Sequence, residues 1–290
     1  MNKSPGIAAA FAAIALGGLG VAPSAAANPF DCLILPNQTV ELRSPVEGLI
    51  DKVLVQRGDR VRAGQVLVQL ESAAETSAVQ LARHRAEAQG RLASAESRLD
   101  YATRKLDRST DLQAKNFVTA QARDEAEAEK RIIEAELRDA RENKQQAALE
   151  LRHAQDLLQR RVLRSPFDGV VVDRMLNPGD LAESGTGRKP ILKLVQVEPL
   201  RVEAVLPLAA YGKLQAHGTA DVMPEGLGGA YTARLKVVDS VFDTASGTFG
   251  VRLELPNSAG KLPAGIRCKV DFPALKGMSG AALMRGNTYK

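Results

Sequence analysis

The chain has 290 residues, 39 Lys plus Arg against 34 Asp plus Glu, 44% hydrophobic and only 4% aromatic content. This length suggests about two domains, and three His with two Cys are too few ligands for a zinc ribbon, an iron–sulfur centre or a disulfide-dense scaffold. No metal and no cofactor is expected. The basic residues alternate with acidic ones and there is no aromatic stacking platform, so the net charge of +5 does not mark a nucleic-acid surface.

The first 27 residues read as a secretory signal peptide. Lys3 precedes an apolar run from Ile7 to Val21, and Ala25-Ala26-Ala27 offers a small-residue exit. The run is shorter than the ~20 residues of a membrane span. Cys32 follows Pro29-Phe30-Asp31 rather than small apolar residues, so lipidation is not expected. An exported, soluble mature chain from about Asn28 is expected, with an uncleaved anchor as the alternative.

Two short all-β segments come next, separated by a long insertion. Arg43-Ser44-Pro45-Val46-Glu47-Gly48 recurs as Arg164-Ser165-Pro166-Phe167-Asp168-Gly169, and Gly58-Asp59 recurs as Gly179-Asp180 at the same offset. Ser-Pro and Gly-Asp pairs punctuate strands of Val, Leu and Ile. Neither half has enough apolar residues to bury a core alone, so 28–71 (with its N-terminal strand) and 162–197 are expected to close one sandwich.

Between them, 72–161 contains no Pro and a single Gly, Gly90. Ala78, Leu81, Arg85, Ala88, Leu92, Ala95, Leu99, Ala102 and Leu106 follow a 3-4 spacing. Ala126 to Leu158 repeat it, which predicts an antiparallel coiled-coil hairpin. The turn is expected at Ala114 to Thr119, with Asn116 left-handed and Thr119 capping the second helix. Each arm would be ~60 Å long at 1.5 Å per residue.

From 198 to 273 apolar and polar residues alternate again in Leu200–Val205, Leu235–Val241, Val251–Leu255 and Ile266–Phe272, with Gly and Pro between the runs. This predicts a small β-barrel, with a short helix at Leu208–Gln215, followed by a tail over 274–290. Cys32 and Cys268 stand near opposite ends of the mature chain. In an oxidising envelope they form a disulfide or remain two small buried thiols; the sequence leaves both open.

No enzymatic signature stands out: there is no Gly-x-Ser-x-Gly, His-Glu-x-x-His or Walker A lysine. His84, His153 and His217 lack ligand spacing. The hairpin after Gln69-Leu70-Glu71, where a lipoyl or biotinyl carrier holds its modified lysine, has no such tripeptide.

A split Arg-Ser-Pro-x-x-Gly lipoyl-like domain, an α-hairpin between its halves and a following barrel resemble the periplasmic adaptors, or membrane fusion proteins, of tripartite efflux and secretion systems (the HlyD/RND adaptor family). The resemblance spans about Asn37 to Phe272. It implies a non-enzymatic adaptor that joins an inner-membrane transporter, RND-type as the first expectation, to a TolC-type outer-membrane channel, and that assembles into a ring, commonly a hexamer. An ABC exporter or type I secretion adaptor, or an envelope scaffold without a transporter, are the alternatives. The family's tip pattern, Arg, then Leu four residues on, then a hydroxyl seven beyond, falls on Arg108, Leu112 and Thr119, with Thr in place of Ser. These residues are the expected channel contact. The chain ends soon after Phe272, which leaves little room for the membrane-proximal domain many members carry; the expected pump-docking surface is then either reduced or contributed by another protomer or a second adaptor.

Overall fold

The computed structural model describes residues 29–185, 187–214 and 217–275. The expected signal peptide and most of the expected tail lie outside the described residues. The chain divides into two units: one comprises the residues up to Ile34, Val202–Leu255 and those from Ile266, the other Leu35–Arg201 with Pro256–Gly265.

The second unit contains the sandwich and the helical insertion. Strands β1 (Phe30–Leu42), β2 (Gly48–Val53), β3 (Arg60–Val61) and β4 (Val66–Leu70) precede the insertion, and β5 (Val162–Arg164), β6 (Gly169–Arg174), β7 (Leu181–Ala182) and β8 (Leu192–Pro207) follow it. One layer has the order β5-β4-β2-β7, the other β1-β8-β6-β3. The short strands are exchanged. β3, from the first half, pairs with β6 of the second through Arg60 and Val170, while β7 pairs with β2 through Leu181 and Leu49. Neither half can close without the other, as the repeat requires. Ile50, Leu67, Val68, Leu163, Val171 and Leu194 fill the shared interior.

The repeated motif has a physical meaning in both copies. Ser44 and Ser165 are buried, and their hydroxyls donate to the carbonyls of Val46 and Phe167, closing equivalent turns. The arginines reach across: Arg43 donates to the carbonyl of Arg188, and Arg164 to that of Gly64. In the Gly-Asp turns the carboxylates of Asp59 and Asp180 accept from the amides of Gln56 and Asn177, both at 2.7 Å. Gly58 and Gly179 stand at φ of 93° and 90°, where a Cβ is disfavoured. Gly169 is needed for a different reason, since a Cβ there would overlap the carbonyl oxygen of Val195.

The insertion consists of α1 (Ala73–Glu87), α2 (Gly90–Ala114) and α3 (Ala120–Gln159). The first arm is therefore broken, whereas the sequence pattern reads as one continuous helix. Ala88, at ψ 117°, leaves the helical region just before Gly90. Heptad counting through this break fails by one residue. In α1 the buried residues are Val79 and Ala82, while Leu81 of the expected seam is 55% exposed. Beyond the break the expected register holds: Ala95 and Ala102 on α2 and Ala126 and Leu137 on α3 are buried. Two ion pairs, Arg98–Glu136 and Lys105–Glu129, fix the arms as antiparallel neighbours. At the base, Arg161 donates to Glu75 through Nε and Nη2 and to the carbonyl of Glu47 through Nη1, which ties both arms to the sandwich.

The other unit is a closed six-stranded barrel. It adds β9 (Thr219–Pro224), β10 (Tyr231–Val238), β11 (Thr248–Leu255) and β12 (Ile266–Asp271), in the order β1-β12-β9-β10-β11-β8, with β1 pairing β8 to close it. β9 was not singled out among the sequence alternations. The start of β1, expected to accompany the split domain, instead pairs with β12 from Phe30↔Val270 to Ile34↔Ile266. The helix expected from Leu208 shortens to a 3-10 turn, Leu208–Ala210, between Pro207 and a left-handed Gly212. Tyr211, Phe242 and Phe249 pack edge-to-face beside it.

Candidate functional site

The hairpin tip is built by local rules. α2 ends in a Schellman arrangement: the amide of Asn116 donates to the carbonyl of Gln113 and that of Phe117 to Leu112, both at 2.9 Å. Asn116 takes the left-handed position at φ 62°, where Asn is the usual substitute for Gly. Thr119 caps α3, its side-chain oxygen accepting from the amide of Ala122 at 3.2 Å. The turn is thus held by backbone and cap bonds, which leaves its side chains free.

Arg108 and Leu112 lie one helical turn apart at the end of α2. Arg108 is exposed and makes no ion pair or hydrogen bond with any described residue; Asp111, three residues on, is exposed as well. Leu112 is 39% exposed. Thr119 uses its lone pair as a cap, and its hydroxyl proton remains available to an acceptor. All three residues therefore sit on the same short end of the hairpin. The residue that the sequence reading passed over is Phe117, 75% exposed, between the left-handed Asn116 and the cap. Its signal was an aromatic residue inside an otherwise polar turn in a chain with very few aromatics.

The cysteines occupy the barrel. Cys32 and Cys268 are direct partners in the β1–β12 register, with Cα atoms 4.8 Å apart, and are joined as a disulfide; both are buried. Beside them Lys269 donates to Asp31. His84, His153 and His217 are exposed, and no group of three or more potential metal ligands occurs among the described residues. No described helix is long and apolar enough to cross a membrane.

Comparison with known proteins converges on this architecture. Residues 38–187 match the family model described as CzcB-like, barrel-sandwich hybrid domain. The nodulation protein NolF of Rhizobium meliloti (strain 1021) is 26% identical over 80% of this chain and 59% of its own length. The chain spans less than two thirds of the length of the curated relatives it matches. Among solved structures, MacA from Actinobacillus actinomycetemcomitans superposes with a TM-score of 0.68 at 21% identity, covering 83% of this chain and 76% of that one. The membrane fusion protein Spr0693 from Streptococcus pneumoniae R6 gives 0.59 at 20% identity over 83% of this chain and 96% of that one. The sandwich, interrupted by a helical hairpin and followed by a barrel, thus has the fold of these solved structures, and the chain belongs to the CzcB-like, barrel-sandwich hybrid domain family.

Proposed function

We propose that the protein is the periplasmic adaptor of a tripartite efflux system, exported by its signal peptide, not lipidated, and linking an RND-type inner-membrane transporter to a TolC-type outer-membrane channel. It works as a ring of copies, a hexamer as in its family, because a single hairpin cannot enclose a conduit. The observation that carries this reading is the tip. Arg108, Leu112 and Thr119 stand at the family's spacing, and a structured turn presents a guanidinium fork, an apolar side chain and a hydroxyl with no internal function for the guanidinium. Such a set suits a groove between helices of a channel, where carbonyls and carboxylates accept from Arg.

Arg108→Asp tests it. The variant should lose channel binding and transport while its helicity and melting temperature stay those of the parent, since Arg108 contributes no described bond to the fold. Full transport by the variant would remove the tip from the mechanism.

A further inference from the structure

Two lysines, Lys130 and Lys144, fall on the apolar 3-4 spacing of α3. A charged residue at such a position costs a coiled coil stability. Lys130 has an intrahelical partner, Glu134 at 3.6 Å. Lys144 has none. It stands between Ala140 and Ala147 on the seam, and it is exposed although those two alanines are half-buried. Opposite it the first arm is broken, α1 ending at Glu87 and α2 starting at Gly90.

The interrupted packing leaves a cavity of about 470 Å³ against the three helices. Each helix contributes one permanent cation to its lining: Arg85 from the last turn of α1, Arg91 from the first turn of α2, and Lys144 from α3. None of these three side chains has a hydrogen-bond or ion-pair partner among the described residues. Glu150 is the single carboxylate in the lining, so three positive charges less one negative leave an excess of two, and His84 adds a further ring donor. Helix electrostatics do not account for the set. His84 and Arg85 suit the negative end of α1, but Arg91 sits at the positive end of α2, where a cation is disfavoured. The adjoining groove, by contrast, holds Arg98 against Glu136.

We propose that this cavity is a binding site for a soluble anion carrying two phosphoryl groups. The planar guanidiniums of Arg85 and Arg91 can each take two phosphoryl oxygens, and the Lys144 ammonium adds a point charge. The cavity is larger than one phosphate needs and lies within the range of small-ligand sites, roughly 300–1,000 Å³. A single carboxylate would leave most of the excess charge unanswered, whereas a diphosphate matches both charge and size. Bound there, it bridges α1, α2 and α3 across the break and holds the first arm in one bend. The inference concerns the hairpin alone and stands whether or not the tip meets a channel.

The test is calorimetric titration of the full chain with pyrophosphate, orthophosphate and sulfate at constant ionic strength. Pyrophosphate should bind at least about tenfold more tightly than either single anion, and should slow hydrogen exchange at the α1–α2 junction. Arg85→Gln, Arg91→Gln and Lys144→Gln should each weaken it about tenfold, with circular dichroism unchanged. Glu150→Gln should tighten it about two- to fivefold, because an opposing charge is removed; a merely structural role for these residues predicts no such gain. Absence of pyrophosphate binding at millimolar concentration overturns the proposal. So does an equal response to sulfate, or binding indifferent to all three cation replacements. Capture on phosphatidylglycerol vesicles without binding of soluble pyrophosphate would replace the site by a lipid contact, and binding of a polyglutamate peptide alone would replace it by a protein contact.

Discussion

The β regions and the hairpin are stabilised on different length scales. The sandwich and the barrel are closed by strands that depend on residues far away in sequence: β4 pairs with β5 across the whole insertion, and β1 with β12 across nearly the whole chain. In the hairpin each turn is held by its own helix and by a narrow seam in which only Val79, Ala82, Ala95, Ala102, Ala126 and Leu137 are buried. Removing a residue from the first kind of structure opens a shared core. Removing one from the second loosens a few turns. The molecule thus combines cooperative β bodies with an arm whose exposed side chains are free to be chosen for contact rather than for folding.

Breaking the longest-range link should have the largest effect. Replacing Cys32 and Cys268 by Ser releases a tie between residues 236 apart, and the loop-entropy estimate is about 5 kcal/mol at most. Thiol counting on unfolded, unreduced protein checks the premise, with no reactive thiol expected; two reactive thiols would show that the parent lacks the bridge. Denaturant unfolding of the Ser variant then reads the cost.

Leu67→Ala comes next. Leu67 is fully buried on β4 in the sandwich interior, so the substitution should cost about 2–5 kcal/mol. Leu137→Ala, made in the hairpin seam where solvent is nearer, should cost less. Comparable losses at the two positions would erase the contrast between the regions.

The smallest effect sharpens the boundary between them. At the hairpin base, backbone hydrogen bonding at Glu75, helped by the Arg161 guanidinium, outweighs the opposing desolvation and holds the carboxyl below the usual glutamate range. A carboxylate with a depressed folded pKa adds stability that is complete above its unfolded value, near 4.5, and is lost as pH falls through the lower folded value. Acidification below about pH 4.5 should therefore loosen the base of the hairpin before the sandwich core opens. Glu75→Gln should reproduce that loosening at neutral pH, at about 1 kcal/mol. Hydrogen exchange at Leu70 and Arg161, whose backbones join β4 to the returning arm, is the readout. Protection that is unchanged in the variant would show that the clamp does not hold the arm.

Much of this was legible in the chain itself, because the governing signals are local or repeated. The recurrence of Arg-Ser-Pro and Gly-Asp marks turns that need a short hydroxyl, a left-handed glycine and an Asx acceptor, and these requirements depend on neighbouring residues only. Asn116 and Thr119 at the hairpin turn are legible for the same reason, as are the seam residues of α2 and α3. Tertiary structure decided the rest. The break at Ala88 shifts the α1 register by a residue, so Ala82 rather than Leu81 is buried, and no periodicity counted across a break can show that. The exchange of β3 and β7 between layers sets which strand lies beside each: Val170 beside Arg60, Leu49 beside Leu181. The placement of Cys32 opposite Cys268 likewise depends on barrel closure. Composition and local spacing fix what each segment can form, whereas pairing between distant strands fixes which side chains meet and which remain exposed, since only the closed sheets determine the neighbours.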